Sequence, residues 1–416
     1  MYLKKTRILG FMLLIIIIIY MFCGCGTQYL GGSRNEKWTK DLNYLAEALP
    51  NKHPNIFFKM DKDEFYNDID CLKNNIDTMT DEEIIVEIYK IIAKVSDPHT
   101  KVYRDYEKRF PVQFYYFGND MYLIHTSDEY EKVINCKLKA VNGIKVDEIK
   151  RRLNPLVSQA NESKIKNTSP SFLARPDILK GLHIIEDEDS AIFTLENNDG
   201  SDIELDVKSV IPEEGTINTD DNYDESNPLY RQHSDLNYWY KYLDNDKLLY
   251  FKYNSCTDHD KKVGDLDSVI DEMNEYIDQN KVDKVVIDIR DNSGGRDNCL
   301  HSFIDKISQS KLNNPDKFFV IVGKATFSAP IIDACLIRQT TNATFLGEPT
   351  SGSPRHYGAT RSFELPNSKL HISHSTLFVD MFDDYNESFI PDKNIEVTID
   401  DYKEKRDPII EYIKNK

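Results

Sequence analysis

Between residues 236 and 400, short apolar runs alternate with helix-length segments, and this alternation constrains the fold more than any other feature of the chain. The runs are "KLLYFKY" (247–253), "KVVIDI" (284–289), "FFVIVG" (318–323) and "ATFLG" (343–347), with helix-length stretches around 264–280, 297–310 and 328–341. Strands that alternate with helices imply right-handed crossovers and a mixed, largely parallel sheet, with ligands expected at the carboxyl ends of the strands. The spacing therefore predicts an α/β core over 236–416. Upstream of it, "TINTDDNYDESNP" (216–228) has almost nothing to bury and reads as a solvated linker or surface loop.

A chain of 416 residues exceeds one ordinary core, so further domains are expected before that linker. Trp38, Leu42, Leu45 and Leu49 recur at helical steps, as do Ile84, Ile85, Ile88, Ile91, Ile92 and Val95, and Thr80 with Glu83 forms a capping-box signature. A small helical domain is predicted over 34–105. From 106 to 215 the pattern changes to "QFYYF", "MYLIH", "KLKAV" and "SAIFTL", separated by Gly, Asn and Asp, which predicts a β-rich module with one or two helices.

The first 25 residues differ from all of this. "YLKKTR", "ILGFMLLIIIIIYMF" and "CGCG" supply the basic, apolar and small-residue parts of an export signal. Cys25 after Gly24 resembles the lipid-modified cysteine of a bacterial lipoprotein, while residues 8–22 retained as an uncleaved anchor are the alternative. Both readings place the rest of the chain outside the membrane, anchored to the outer face of a bacterial cell. The formal net charge of −18 argues against a nucleic-acid partner, since phosphate backbones demand a basic surface. Cys71, Cys136, Cys256, Cys299 and Cys335 lack C-x-x-C spacing, and His371 and His374 fall on opposite faces of a strand, so no disulfide framework and no metal site are expected.

Two stretches at strand ends carry candidate chemistry. In "FFVIVGKATFSAP", Ser328 stands where a helix begins, and free backbone N–H groups with the positive end of the helix dipole favour developing negative charge there. The same position suits an ordinary helix-capping serine. In "VIDIRDNSGGR", Gly294 and Gly295 follow a strand and permit a backbone N–H to be aimed outward, so the N–H groups of Gly294 and Ala329 are candidate oxyanion donors; a plain turn is the simpler reading.

"VVIDIRDNSGG", "KATFSAP", "FLGEPTSG" and "FIPDKNIEV", taken in order and spacing, resemble the C-terminal-processing serine peptidases, the family of tail-specific proteases and the tricorn core. The likeness covers roughly 236–400 and is weaker from 85 onward. It implies that Ser328 is the nucleophile, that the 294–295 turn lies beside the oxyanion site, and that no metal or cofactor is needed. "KLKAVNGIKVDEIKRRL" is similar to the closing strand and helix of the family's PDZ-like domain. The chain departs from the family in two places: Ser353 stands where many members carry the basic lysine, and Ser293 where a glycine is usual. "DPHT" resembles the element in which the tricorn-like branch places a histidine, which makes His99 the candidate base, expected to titrate near the ordinary histidine value. Glu348 is carried over as the candidate orienting residue, with His356 and Tyr357 nearby in sequence, and Lys324 is a lesser candidate base. The resulting expectation is an exported, membrane-anchored endopeptidase acting on unfolded or extended polypeptide. The alternative is a non-catalytic peptide- or ligand-binding protein on the same fold.

Overall fold

The structure, a computed structural model, describes residues 32–212, 217, 224–279, 281–382 and 387–416. The expected export signal with Cys25, and most of the 216–228 segment, lie outside the described residues.

Three helices open the described chain: α1 (Arg34–Lys52), α2 (Lys62–Asn75) and α3 (Asp81–Lys94). The Thr80 hydroxyl accepts from Glu83 N–H while the Glu83 carboxylate accepts from Thr80 N–H, so the expected capping box starts α3. Trp38, Leu42, Leu45 and Leu49 on α1 and Ile84, Ile85, Ile88, Ile91 and Ile92 on α3 are buried. A tight turn after α3, with Ser96 at φ 60°, carries Asp97 and His99 into strand β1 (Lys101–Tyr103).

The β-rich module follows: β2 (Val112–Phe117), β3 (Asp120–Thr126), β4 (Lys137–Val141), β5 (Ile144–Lys145), α4 (Val146–Leu153), α5 (Glu162–Thr168), α6 (Pro176–Gly181), β6 (Ser190–Glu196) and β7 (Asp202–Lys208). Its antiparallel sheet has the order β2-β3-β4-β6-β7, with β5 hairpinned onto β4. One apolar core holds Leu42 and Ile88 of the helices together with Leu138 and Phe193 of the module.

The remaining chain runs β8 (Tyr238–Leu243), β9 (Leu248–Tyr253), a hairpin of β10 (His259–Asp260) and β11 (Gly264–Asp265), α7 (Leu266–Asp278), β12 (Lys284–Asp288), α8 (His301–Ser308), β13 (Phe318–Val322), α9 (Ala329–Thr340) and β14 (Thr344–Gly347). After these come β15 (Arg355–Gly358), β16 (Arg361–Glu364), β17 (His371–His374), β18 (Leu377–Asp380), β19 (Lys393–Asn394), α10 (Ile399–Lys403) and α11 (Pro408–Lys414). The core sheet has the order β19-β14-β13-β12-β9-β8; every neighbouring pair is parallel except the antiparallel edge β8–β9. The expected mixed, largely parallel sheet is therefore present. Its strands are buried on both faces, as parallel sheets require. Phe251, Ile287 and Val320 pack against α7, α8 and α9. Tyr250, Val286 and Phe319 pack on the other side with Ile409, Ile410 and Ile413 of α11. Same-handed crossovers between strands added in one direction put the three crossover helices on one face.

A separate three-stranded sheet, β1-β17-β16, decides where the α3–β1 turn goes. Register pairs Lys101 with Ser373 and Val102 with Ile372, which ties the chain just after His99 to the C-terminal half of the molecule.

Candidate active site

The turn from β13 to α9 is built from its own polar atoms. Thr326 Oγ1 donates to Ile289 O (2.8 Å) and accepts from Gly323 N–H (2.9 Å), and Phe327 N–H donates to Asn292 O (3.1 Å). These bonds join the two sequence stretches at adjacent strand ends and force Ser328 into φ 69°, ψ −123°. A side chain at positive φ costs on the order of 1–3 kcal/mol and persists only where its surroundings over-determine it. Ser328 occupies the N-cap position of α9 yet makes no capping hydrogen bond. Its hydroxyl lies instead 3.0 Å from His99 Nε2, across 229 residues of sequence. The capping alternative is thus not the one realised.

His99 is 7% exposed, and its position is set from three directions. Its backbone N–H donates to Asp97 Oδ1 (3.0 Å), and its carbonyl accepts from Ser373 Oγ (2.9 Å) on β17. Its ring packs on Phe327 (centroids 4.3 Å apart) and stacks on His356 (5.5 Å, 19°). Burial, partly countered by the Asp97 charge, holds the His99 imidazolium down to about 4. The expected titration near the ordinary value is corrected accordingly, because the ring is desolvated. Nδ1 has no hydrogen-bond partner among the described residues, and Asp97 Oδ1 lies 3.9 Å from it.

Asp97 is the carboxylate beside His99. Burial would raise its pKa, but donors from His53 Nε2 (3.1 Å), Thr100 Oγ1 (2.6 Å) and Ser375 Oγ (2.7 Å) outweigh that and keep it below the ordinary range. His53 Nδ1 accepts from Asn55 N–H (3.1 Å), so its proton sits on Nε2, facing Asp97. Neither Asp97 nor His53 was singled out from sequence, although Asp97 lies in the same "DPHT" segment.

The orienting role expected of Glu348 is corrected by the same geometry. Its carboxylate is 2.5 Å from Lys324 Nζ, and the pair borders a separate cavity of about 430 Å³ that also meets Tyr115 and Arg290. Lys324 is thereby engaged as well and does not contact Ser328. His356 Nδ1–H donates to Ser353 O (2.7 Å), and the Tyr357 ring packs on His53 and Phe58.

Gly294 lies directly over the serine. A Cβ there would stand 2.9 Å from Ser328 Cβ, 3.1 Å from Phe327 O and 3.4 Å from Ser328 Oγ. Its N–H is not free, as expected from sequence, but donates to Asn292 Oδ1 (2.9 Å) in an Asx turn. Ala329 N–H, the first of α9, has no partner among the described residues, as is usual at a helix start. Beside the pair, Phe58, Phe327, His356, Tyr357 and Phe378 form the aromatic part of the lining of a cavity of about 330 Å³, which Lys59, Arg355 and Glu387 also border.

No family model and no curated protein matches this chain. Solved structures do. The structure of mature CPAF complexed with lactacystin matches at TM-score 0.66 and 13% identity over 92% of this chain and 97% of that one. The crystal structure of mature CPAF matches at 0.64 and 13% over 91% and 96%. A photosystem II D1 C-terminal processing protease aligns more loosely, at 0.39 and 12% over 86% and 93%. The chain therefore has the CPAF fold over nearly its whole described length.

Proposed function

We propose that the chain is a serine peptidase that hydrolyses peptide bonds in unfolded or extended polypeptides, with Ser328 as nucleophile and His99 as general base. One observation carries the reading: a serine at positive φ, freed from capping, stands 3.0 Å from the Nε2 of a buried, neutral histidine. The peptidase resemblance of the motifs and the shared fold support it.

In the reaction, His99 Nε2 takes the Ser328 hydroxyl proton as Oγ bonds to the substrate carbonyl carbon. The imidazolium so formed feels Asp97 at 3.9 Å from Nδ1. It returns the proton to the departing amine nitrogen as the C–N bond breaks, and a water molecule then hydrolyses the acyl-serine by the same proton route. Ala329 N–H holds the oxyanion, and Gly294 N–H joins it by sharing its hydrogen between Asn292 Oδ1 and the new acceptor, a three-centre arrangement. The missing Cβ of Gly294 leaves the substrate carbonyl room to reach the serine. All of this requires no cofactor. The polypeptide is held outside the membrane by the N-terminal segment, as a lipoprotein anchored through Cys25.

The test is covalent labelling. A fluorophosphonate probe should add to the folded protein at Ser328, seen by intact mass, and not to Ser328→Ala. Absence of labelling in a folded wild type would remove the peptidase reading and leave that of a peptide-binding protein.

A further inference from the structure

The mechanism above leaves beside the serine a cation that has no ion-pair partner among the described residues. Lys164 projects from α5, and its Nζ lies 4.4 Å from the centroid of the Phe327 ring, the residue immediately before Ser328. The ring of His99 packs on that same Phe327. Lys164 is half-buried, and its ammonium makes no hydrogen bond or ion pair with any described residue. Such an arrangement is costly: burial together with the Lys101 charge pushes its pKa down to about 7 against the pull of Asp97, and a ring face offsets only part of that cost.

The position is not accidental slack in a long side chain. Asn161 Nδ2 donates to Ser351 O (3.2 Å) and to Glu387 O (2.7 Å), and Ser163 Oγ donates to Pro349 O (2.7 Å). The first turn of α5 is thus clamped onto the 349–352 loop, whose Gly352 lies against Phe327. Nearby, Lys59 pairs with Glu387 (3.0 Å) and Arg355 with Asp380 (3.0 Å), the Asp97 carboxylate is occupied by its hydrogen-bond donors, and Lys101 lies over the Tyr103 ring (4.8 Å). In a chain of net charge −18, a cationic side chain with no ion pair of its own, held over the ring that precedes the reacting serine, is a site for an anion, whose charge would favour the ammonium form.

We infer that Lys164 is a specificity-determining residue that pairs with an acidic side chain, Asp or Glu, of the polypeptide lying across Ser328. The inference rests on the peptidase reading and names its substrate class: extended polypeptide with a carboxylate flanking the scissile bond. Attack requires the carbonyl carbon within about 3–3.5 Å of Oγ, and an extended chain advances about 3.3–3.6 Å per residue. A residue one or two positions from that bond therefore passes over Phe327, within reach of Nζ. The pair would form in a half-buried setting where an ammonium and a carboxylate attract more strongly than in bulk water.

Binding without turnover tests this, using Ser328→Ala and dye-labelled, C-terminally amidated extended peptides in which a single Glu or Gln is scanned along the sequence. At one position the Glu peptide should bind about five- to tenfold tighter than its Gln partner, and the preference should shrink at about 0.5 M salt. Adding Lys164→Met, which keeps the packing on Phe327, should bring the ratio to about one, and Lys164→Arg should retain it. A free-acid set separates the other source of a carboxylate, the chain terminus. Three results would overturn the inference: no position that discriminates, discrimination that survives Lys164→Met (including equal loss of both peptides), or discrimination by the free-acid set alone. Hydrolysis of the Gln peptides by the wild type reports separately on the peptidase reading.

Discussion

A base that is buried and neutral should keep working in acid where an ordinary histidine would not. The active form of His99 is the free imidazole, and its pKa is held down to about 4 by burial. At pH 5.5 a group titrating near 4 is about 97% neutral, whereas one at the reference value of about 6.5 is about 9% neutral, so the two cases differ about tenfold in kcat/KM at that pH. Activity should hold from neutrality down to about pH 5 and fall tenfold per unit only below about 4.

The same shift acts on stability, and its sign fixes how the assay must be run. Because the folded-state pKa lies below the unfolded value, the unfolded chain takes up the proton first as pH falls. His99 thus contributes stability that is present above about pH 6.5 and lost progressively down to about 4, by up to about 3 kcal/mol. Initial rates on a fluorogenic peptide should therefore be paired with circular dichroism at each pH, and only folded samples counted. His99→Gln should lose about three orders of magnitude or more in kcat/KM and should lessen the loss of stability on acidification. A limb with its midpoint near 6.5 in protein that remains folded would refute the reasoning, since the base would then be a solvated group.

Gly294→Ala meets both a positive φ of 122° and a Cβ contact of 2.9 Å at Ser328, so kcat/KM should fall about a hundredfold or more, with about 1–3 kcal/mol of stability lost in urea denaturation; full activity in this variant would mean that the turn does not crowd the serine. Lys324→Met strands the Glu348 carboxylate and should cost about 1–3 kcal/mol while leaving kcat/KM of the folded protein within a few fold; a thousandfold loss would restore a serine–lysine mechanism. Cys25→Ala should abolish incorporation of labelled fatty acid and leave the precursor unprocessed, whereas intact Met1 on the mature wild type would show residues 8–22 to be retained.

What was legible in the sequence is what local chemistry decides. The Thr80–Glu83 box and the strand runs ending at Asp288 and Val322 act over a few residues, and each forms where expected. Asn292 followed two residues later by Gly294 is likewise a local Asx-turn signal, and reading it would have shown that the Gly294 N–H already had an acceptor. The contact between His99 and Ser328 is different. Nothing in their spacing joins them, and only the family resemblance links them in sequence; in the molecule the β1–β17 register brings them together. The motif points to Glu348 and carries no signal for Asp97, because sequence cannot show that Lys324 claims the one and that three buried donors converge on the other. Lys164 carries no sequence signal at all, since its meaning depends on the partners it lacks.

The serine at 353, where the resemblance leads to the expectation of a lysine, has a defined place in the same geometry. Ser353 offers its carbonyl to His356 Nδ1 at 2.7 Å, and the His356 ring stacks on His99. Burial lowers the His356 pKa below the ordinary histidine value. A lysine side chain in this desolvated aromatic corner would add a second basic group competing for the serine proton. If charged, it would also oppose the imidazolium that His99 must become during attack. A histidine base and a lysine base are thus alternatives within one pocket. Lys324 is bound to Glu348, and the imidazolium that His99 becomes has the Asp97 carboxylate 3.9 Å from Nδ1, whose charge favours its formation against the opposing charges of Lys164 and Lys101.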